Sequence, residues 1–255
     1  MAEPSRDWFG DEGYEAFLTA RRSEILDRVS RACSRAGRTP DDVVVEAVSK
    51  TVDIDAVEAA MDVGWDVFGE NRPQELARKR DAIDATADER GLAAPRFDMI
   101  GNLQKNKINQ VLGRASLIHS VSSSHLAGGI STRAQARGMV AQVLLEVNVS
   151  GEDSKSGFSP VDVMTSFDDL MGLEGISIQG LMTMAPAHDP DAARATFSGL
   201  RSLAERLRST SGLALPVLSC GMSDDFEIAV EEGSTLVRLG RVVFSKDYEL
   251  AENRC

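Results

Sequence analysis

Short apolar runs rich in β-branched residues alternate along this chain with longer stretches whose apolar positions recur every three to four residues. The runs fall at residues 43–48, 66–69, 97–100, 117–121, 143–149, 176–182, 216–219 and 236–244. Between them, Ile54, Val57, Ala60 and Met61 share one helical face, as do Phe197, Leu200, Leu203, Ala204 and Leu207. An amphipathic helix over about residues 14–36 precedes the first run. Strand then helix, repeated, predicts parallel pairing, because neighbouring parallel strands need a crossover between them. Eight such units behind a leading helix fit a closed (β/α)8 barrel, the TIM barrel. An open doubly wound sheet uses fewer strands, and its nucleotide-binding form carries GxGxxG after the first. Here that position reads Val48-Ser49-Lys50-Thr51, without a glycine. The expected class is therefore α/β: one (β/α)8 barrel domain over residues 1–255, with an extra N-terminal helix.

Charge narrows what such a barrel can do. Forty acidic residues against 28 basic ones leave a formal net charge of -12. That balance disfavours non-specific nucleic-acid binding and an anionic membrane surface. A small anionic ligand stays possible, since a local positive pocket acts within a screening length of about 10 Å. No apolar run reaches the roughly 18 residues of a membrane span. The first residues are polar and acidic, without a signal-peptide pattern. Cys33, Cys220 and Cys255 form no CxxC, and His119, His125 and His188 form no HExxH. The expectation is a cytoplasmic protein without a structural metal.

A barrel places its chemistry at the C-terminal ends of its strands. Those ends supply Lys50, Glu70 and Asn71, Gly101 and Asn102, His119, Asn148, Met182, the stretch Ser219-Cys220-Gly221-Met222-Ser223, and Arg238-Leu239-Gly240-Arg241. Lys50 follows an apolar strand. Desolvation there would lower its pKa and free an amine for imine formation; a solvated lysine at a strand terminus is the plainer reading. Ser223 can cap a helix over about residues 226–232, and such an N-terminus can bind phosphate. It can equally be no more than a capped helix, and Asp224 and Asp225 would repel a phosphate unless they point away. Arg238 and Gly240 share one strand face. An arginine inside a barrel needs an acceptor, either a ligand or an acid such as Glu46 or Glu146. Met182 reads as packing, and His119 as a hydrogen-bonded structural histidine.

In chain order, Ala47-Val48-Ser49-Lys50-Thr51, Phe68-Gly69-Glu70-Asn71, Ile100-Gly101-Asn102-Leu103-Gln104-Lys105-Asn106-Lys107, Gly180-Leu181-Met182, Leu218-Ser219-Cys220-Gly221-Met222-Ser223-Asp224-Asp225 and Val237-Arg238-Leu239-Gly240 form a set of motifs. This set resembles the pyridoxal phosphate homeostasis proteins, whose fold is similar to the N-terminal barrel of alanine racemase. The resemblance implies pyridoxal 5'-phosphate (PLP) held as an aldimine on Lys50, with Asn71 near the ring and Met182 among the cofactor-binding residues. Ser219, Met222, Ser223 and the backbone at Gly240 and Arg241 would hold the phosphate, and Arg238 would face the pyridine nitrogen. Ser223 stands 15 residues before Arg238, the separation of the corresponding pair in alanine racemase, which favours it over Ser219. The chain departs from the family pattern at Phe97-Asp98, where Trp-His is usual. Arg241 stands where a small hydroxyl residue is common, and Phe244-Ser245 replaces Phe-Gly.

An arginine stays cationic and can only donate to the pyridine nitrogen, so the ring is a weak electron sink. The two tyrosines, Tyr14 and Tyr248, lie in terminal segments, whereas alanine racemase uses a catalytic tyrosine from a second domain. The resemblance therefore implies a PLP carrier in cofactor homeostasis. It would be non-enzymatic and monomeric, with PLP-dependent apo-enzymes as candidate recipients. The alternatives are a PLP-dependent amino-acid racemase-like enzyme using Lys50 as base, and a barrel enzyme of another class using Lys50 as a Schiff base to a sugar phosphate.

Overall fold

The computed structural model describes residues 11–152, 155–248 and 250. Its strands are β1 (Val44–Val48), β2 (Val67–Glu70), β3 (Arg96–Met99), β4 (Leu117–Val121), β5 (Ala141–Glu146), β6 (Ile176–Met182), β7 (Val217–Ser219) and β8 (Leu236–Leu239). Each pairs in parallel with the next, and β8 closes on β1 through Val44–Leu236, Glu46–Arg238 and Ala47–Leu239 partners. Helix α1 (Asp11–Arg35) precedes the barrel. The crossovers carry α2 (Ile54–Asp62), α3 (Pro73–Glu89), α4 (Ile108–Val111), α5 (Ser124–Gln135), α6 (Pro160–Met171), α7 (Pro190–Ser211) and α8 (Phe226–Glu231). The expected closed eight-stranded barrel with a leading helix is the observed architecture.

Strand period and helix period divide the core into layers. In β3, Phe97 and Met99 face the helices while Asp98 faces inward, where it meets His119. Ala47, Phe68, Phe97, Val237 and Leu239 pack with Leu18 and Ile25 of α1 and with Val57 and Ala60 of α2. On the other side, Ile118, Val143, Leu145 and Leu218 pack with Ile130, Phe167, Phe197 and Leu200. Each of these valine, leucine, isoleucine and phenylalanine side chains contributes about 1.5–3 kcal/mol on burial. Inside the barrel, Leu117, Leu144, Met182 and Leu236 form a small apolar cluster, with Met184 and Val217 packed against it. Asp53, Ser123, Ser159 and Asp189 cap α2, α5, α6 and α7 through side-chain bonds to backbone N–H groups.

Three expected boundaries are corrected. The run at 236–244 is not one strand: it breaks at Gly240 (φ -106, ψ -86), and Arg241–Phe244 form a helical turn, α9. Val242, Val243 and Phe244 are buried in the same cluster as Val237 and Leu239, so apolar character continues across a change of backbone. The run at 143–149 spans a strand that ends at Glu146. Val147 makes only an isolated bridge to Phe158, and Asn148 holds a loop through Glu152 O (2.9 Å) and the Gly151 N–H (3.0 Å). The cap of α8 is Asp225, not Ser223. Cys255 lies outside the described residues.

Helix α1 does more than lead in. Arg21 of α1 donates to Val242 O (2.8 Å) and Tyr248 O (2.9 Å), tying the segment after β8 to the start of the chain. Among the described residues, no helix is long and apolar enough to cross a membrane.

Candidate functional site

Lys50 lies just beyond β1, in a turn closed by the Val52 N–H donating to Ser49 O (3.1 Å). Its side chain is exposed, and among the described residues it has no hydrogen bond or ion pair. The expected desolvation of this lysine is therefore not seen: the apolar strand buries Ala47 and Val48, and the chain emerges one residue after Ser49. Asn71, half-buried, directly follows β2. It lies against Gly101, where an added Cβ would stand 2.1 Å from Asn71 O. Only glycine permits that approach of two strand ends.

The loops after β7 and β8 form the other side of the rim. Ser223 is half-buried and Met222 is exposed. The Met222 N–H donates to Asp225 Oδ1 (2.6 Å), so that amide is already taken. Burial pushes the Asp225 carboxyl above its ordinary pKa, against that same hydrogen bond. Asp224 accepts from the Tyr248 hydroxyl and from Arg241 Nη2 (3.2 Å). Both aspartates are thus tied to protein donors. The Arg241 guanidinium lies 5.3 Å from the Tyr248 ring centroid, so Arg241 offers the rim its backbone. As the first residue of α9, its N–H has no carbonyl partner within the helix.

Beneath the rim, the barrel floor is polar and buried. Arg238 donates through Nη1 to Ser219 O (2.8 Å) and Ser219 Oγ (2.6 Å), and through Nη2 to Thr183 O (3.2 Å). Ser219 Oγ also meets His119 Nδ1 (3.0 Å), and His119 Nε2 meets Asp98 Oδ2 (3.2 Å). Arg96 grips Asp98 with two bonds, of 2.8 and 2.6 Å. Burial lowers the His119 pKa, against the Asp98 contact, and so favours the neutral ring. The network is consistent when Nε2–H donates to Asp98 and the Ser219 hydroxyl donates to Nδ1. Burial also pulls the Arg238 pKa down, with Glu46 the largest opposing influence. Arg238 pairs with backbone and hydroxyl acceptors rather than directly with Glu46 or Glu146.

Glu46 is the outlier on this floor. It is fully buried, and neither carboxyl oxygen has a hydrogen-bond partner. Burial and then the neighbouring Asp98 raise its pKa well above 4.5. Gly69 makes room for it: a Cβ there would stand 1.8 Å from Glu46 Oε1. Glu46, Asp98 and His119 bring their ligand atoms within 4.8 Å of one another. Counting Glu146 as well, three carboxyls face the guanidiniums of Arg96 and Arg238. Glu46 Oε2 lies 3.7 Å from His119 Nε2, outside hydrogen-bond distance.

The structure therefore places Lys50, Asn71, Met222, Ser223, Gly240 and Arg241 around the rim. Ser219, Arg238 and Met182 lie below it, the last inside the inner apolar cluster. Sequence reasoning missed the floor as a unit, because Glu46, Asp98 and His119 come from three different strands. It also missed Lys79 of α3, buried and bonded to Glu70 Oε1 and Ser49 O, both at 2.6 Å. A signal was present: Lys79 interrupts a buried stripe of Leu76, Ile83 and Ala87.

Comparison with known proteins decides the family. The sequence profile of the alanine racemase N-terminal domain matches residues 23–247. A pyridoxal phosphate homeostasis protein of Aquifex aeolicus is 38% identical over 227 residues, 89% of this chain and 96% of the relative. The chain belongs to the pyridoxal phosphate homeostasis protein family. The Escherichia coli K12 member is 32% identical over 89% of this chain and 95% of its own length. Among solved structures, PipY of Synechococcus elongatus with PLP bound superposes with a TM-score of 0.73 at 31% identity. That match covers 86% of this chain and all of PipY. An uncharacterised protein from Bifidobacterium adolescentis reaches a TM-score of 0.85 at 40% identity, covering 91% of this chain and 96% of its own. Alanine racemase of Clostridium difficile, at 15% identity and a TM-score of 0.67, shows the shared barrel; the match covers 89% of this chain and 56% of that one.

Proposed function

We propose that this chain binds pyridoxal 5'-phosphate through Lys50 and holds it as a cofactor carrier, without sustained turnover of amino acids. The observation that carries the reading is the position of Lys50. It is an exposed lysine on a tight turn, at the mouth of a barrel whose floor holds a locked arginine. The donor set fits the cofactor: one accessible amine, a buried guanidinium, and a half-buried serine between glycine-lined strand ends. PipY, solved with PLP bound, supports it. When bound, the cofactor supplies an aldehyde with which a neutral lysine amine condenses, releasing water.

The geometry supports a reading of the remaining roles. Arg238 stands opposite Glu46 in the register of β8 on β1, and so lies below Lys50. Held by Ser219 and Thr183, its guanidinium keeps a fixed orientation and can only donate to the ring nitrogen. Ser219 is assigned to positioning Arg238 rather than to the phosphate, because its hydroxyl is fully buried and engaged by Arg238 and His119. The phosphate falls to the Ser223 hydroxyl and to the backbone at Ser223, Gly240 and Arg241. Asn71 would stand near the ring, and Met182, in the inner apolar cluster, would line the site. Acid–base chemistry on an amino acid is poorly provided for. Burial pushes the Tyr14 hydroxyl up to about 12, and burial with the Asp224 contact raises that of Tyr248. In this reading the whole chain is one PLP-binding barrel. It works in the cytoplasm as a monomer and hands PLP to apo-enzymes.

The test is to load the protein with PLP, reduce it with borohydride and map the modified peptide. The adduct is expected on Lys50 and absent in Lys50→Ala, with no sustained consumption of amino acids. An adduct on another lysine overturns the site. Turnover that disappears in Lys50→Ala favours the racemase-like alternative.

A further inference from the structure

We infer that Lys79 and Glu70 are positioning residues: their buried ion pair holds the turn that presents Lys50. The inference rests on the Lys50 reading above, but its first measurement needs no cofactor.

Lys79 is 1% exposed, on the inner stripe of α3. A buried ammonium is costly unless its protons are met. Its Nζ donates to Glu70 Oε1 and to Ser49 O, both at 2.6 Å. The Ser49 hydroxyl closes a ring of bonds by donating to the same Glu70 oxygen at 2.7 Å. Two of the three bonds land on Ser49, the residue before Lys50, one on its hydroxyl and one on its carbonyl. That carbonyl is also the acceptor that closes the Lys50 turn, through the Val52 N–H at 3.1 Å. The backbone repeats the arrangement: the Ser49 N–H donates to Gly69 O (3.0 Å), and the Ile100 N–H to Glu70 O (3.0 Å). One lysine of α3 therefore fastens the ends of β1 and β2 together, where Lys50 and Asn71 emerge.

A purely stabilising role would be met as well, or better, by two apolar side chains of similar volume. An apolar pair cannot hold a carbonyl. This difference separates positioning from stability. Lys79 is itself excluded as the imine-forming amine, because its nitrogen is buried and committed to two acceptors.

The experiment uses the full chain carrying Lys79→Met with Glu70→Leu, which removes both charges at similar volume. Thermal melting checks that the barrel is intact. Hydrogen exchange of the Val52 amide, without cofactor, is expected to accelerate about tenfold, the loss of one hydrogen bond. Affinity for PLP is expected to fall by a similar factor, with borohydride still trapping Lys50. A folded double variant with unchanged Val52 protection and unchanged affinity overturns the inference. Should the double variant fail to fold, Ser49→Ala decides. It removes one bond of the ring and is expected to move both readouts about threefold; no movement in either overturns the inference. If the unmodified protein traps no adduct on Lys50, the proposed function fails, while the Val52 measurement still tests the positioning of the turn.

Discussion

Replacing Glu46 by Gln should make the protein more stable at neutral pH, and the gain should grow with pH. Glu46 is fully buried and its carboxyl oxygens have no hydrogen-bond partner. Burial, then Asp98, raises its pKa well above 4.5. The native state therefore keeps a proton that the unfolded chain releases above about pH 4.5. Between that pH and the folded-state pKa, the wild type loses about 1.4 kcal/mol for each pH unit. Glutamine has nearly the same shape and does not titrate. At pH 4.5 and below the two proteins should be nearly equal, since both bury a neutral group of similar polarity. At pH 7 the variant should be ahead by about 3 kcal/mol if the folded carboxyl is still protonated there, and by less if it has ionised earlier. His119, Glu146 and Asp225, whose pKa values burial also shifts, are present in both proteins. Urea unfolding of the cofactor-free protein, repeated from pH 4.5 to 8, measures the difference. Parallel stability curves, or a variant less stable at pH 7, would refute the reasoning and place Glu46 as an ionised partner of Arg238.

Two further outcomes follow. Ser223→Ala should weaken PLP retention about tenfold, in line with a hydrogen bond to a charged group, and Arg238→Met should also weaken it; equilibrium dialysis reads both, and unchanged affinity in both variants would undo the placement of the ring and phosphate. Gly101→Ala should destabilise the protein by about 1–3 kcal/mol, because its Cβ would meet Asn71 O at 2.1 Å and must push two strand ends apart; thermal unfolding checks it, and a wild-type melting curve would contradict the close approach.

Much of this barrel is legible in the sequence because its rules are local. Strand alternation, helical spacing and capping residues act over a few positions, and each unit repeats the same pattern. The rim residues are legible for the same reason, since a parallel barrel puts every strand end on one face. The boundary at Gly240 is not, because Val242, Val243 and Phe244 are buried whether the chain runs as strand or helix. Ser219 and Ser223 look alike as hydroxyls near a strand end. Only closure of the barrel puts one of them under Arg238 and leaves the other at the mouth.

The amino-acid pattern alone determined eight strand–helix units, the leading helix, the rim and the lysine at the end of the first strand. Only the tertiary structure decided where charge is buried. It set Glu46, Asp98 and His119 within one cluster, turned Asp224 and Asp225 toward protein donors, and placed Lys79 under the turn of Lys50. The physical reason is range. Periodicity is a property of neighbours along the chain, whereas desolvation and pairing depend on which distant segments close over a group, and those segments meet only when β8 returns to β1.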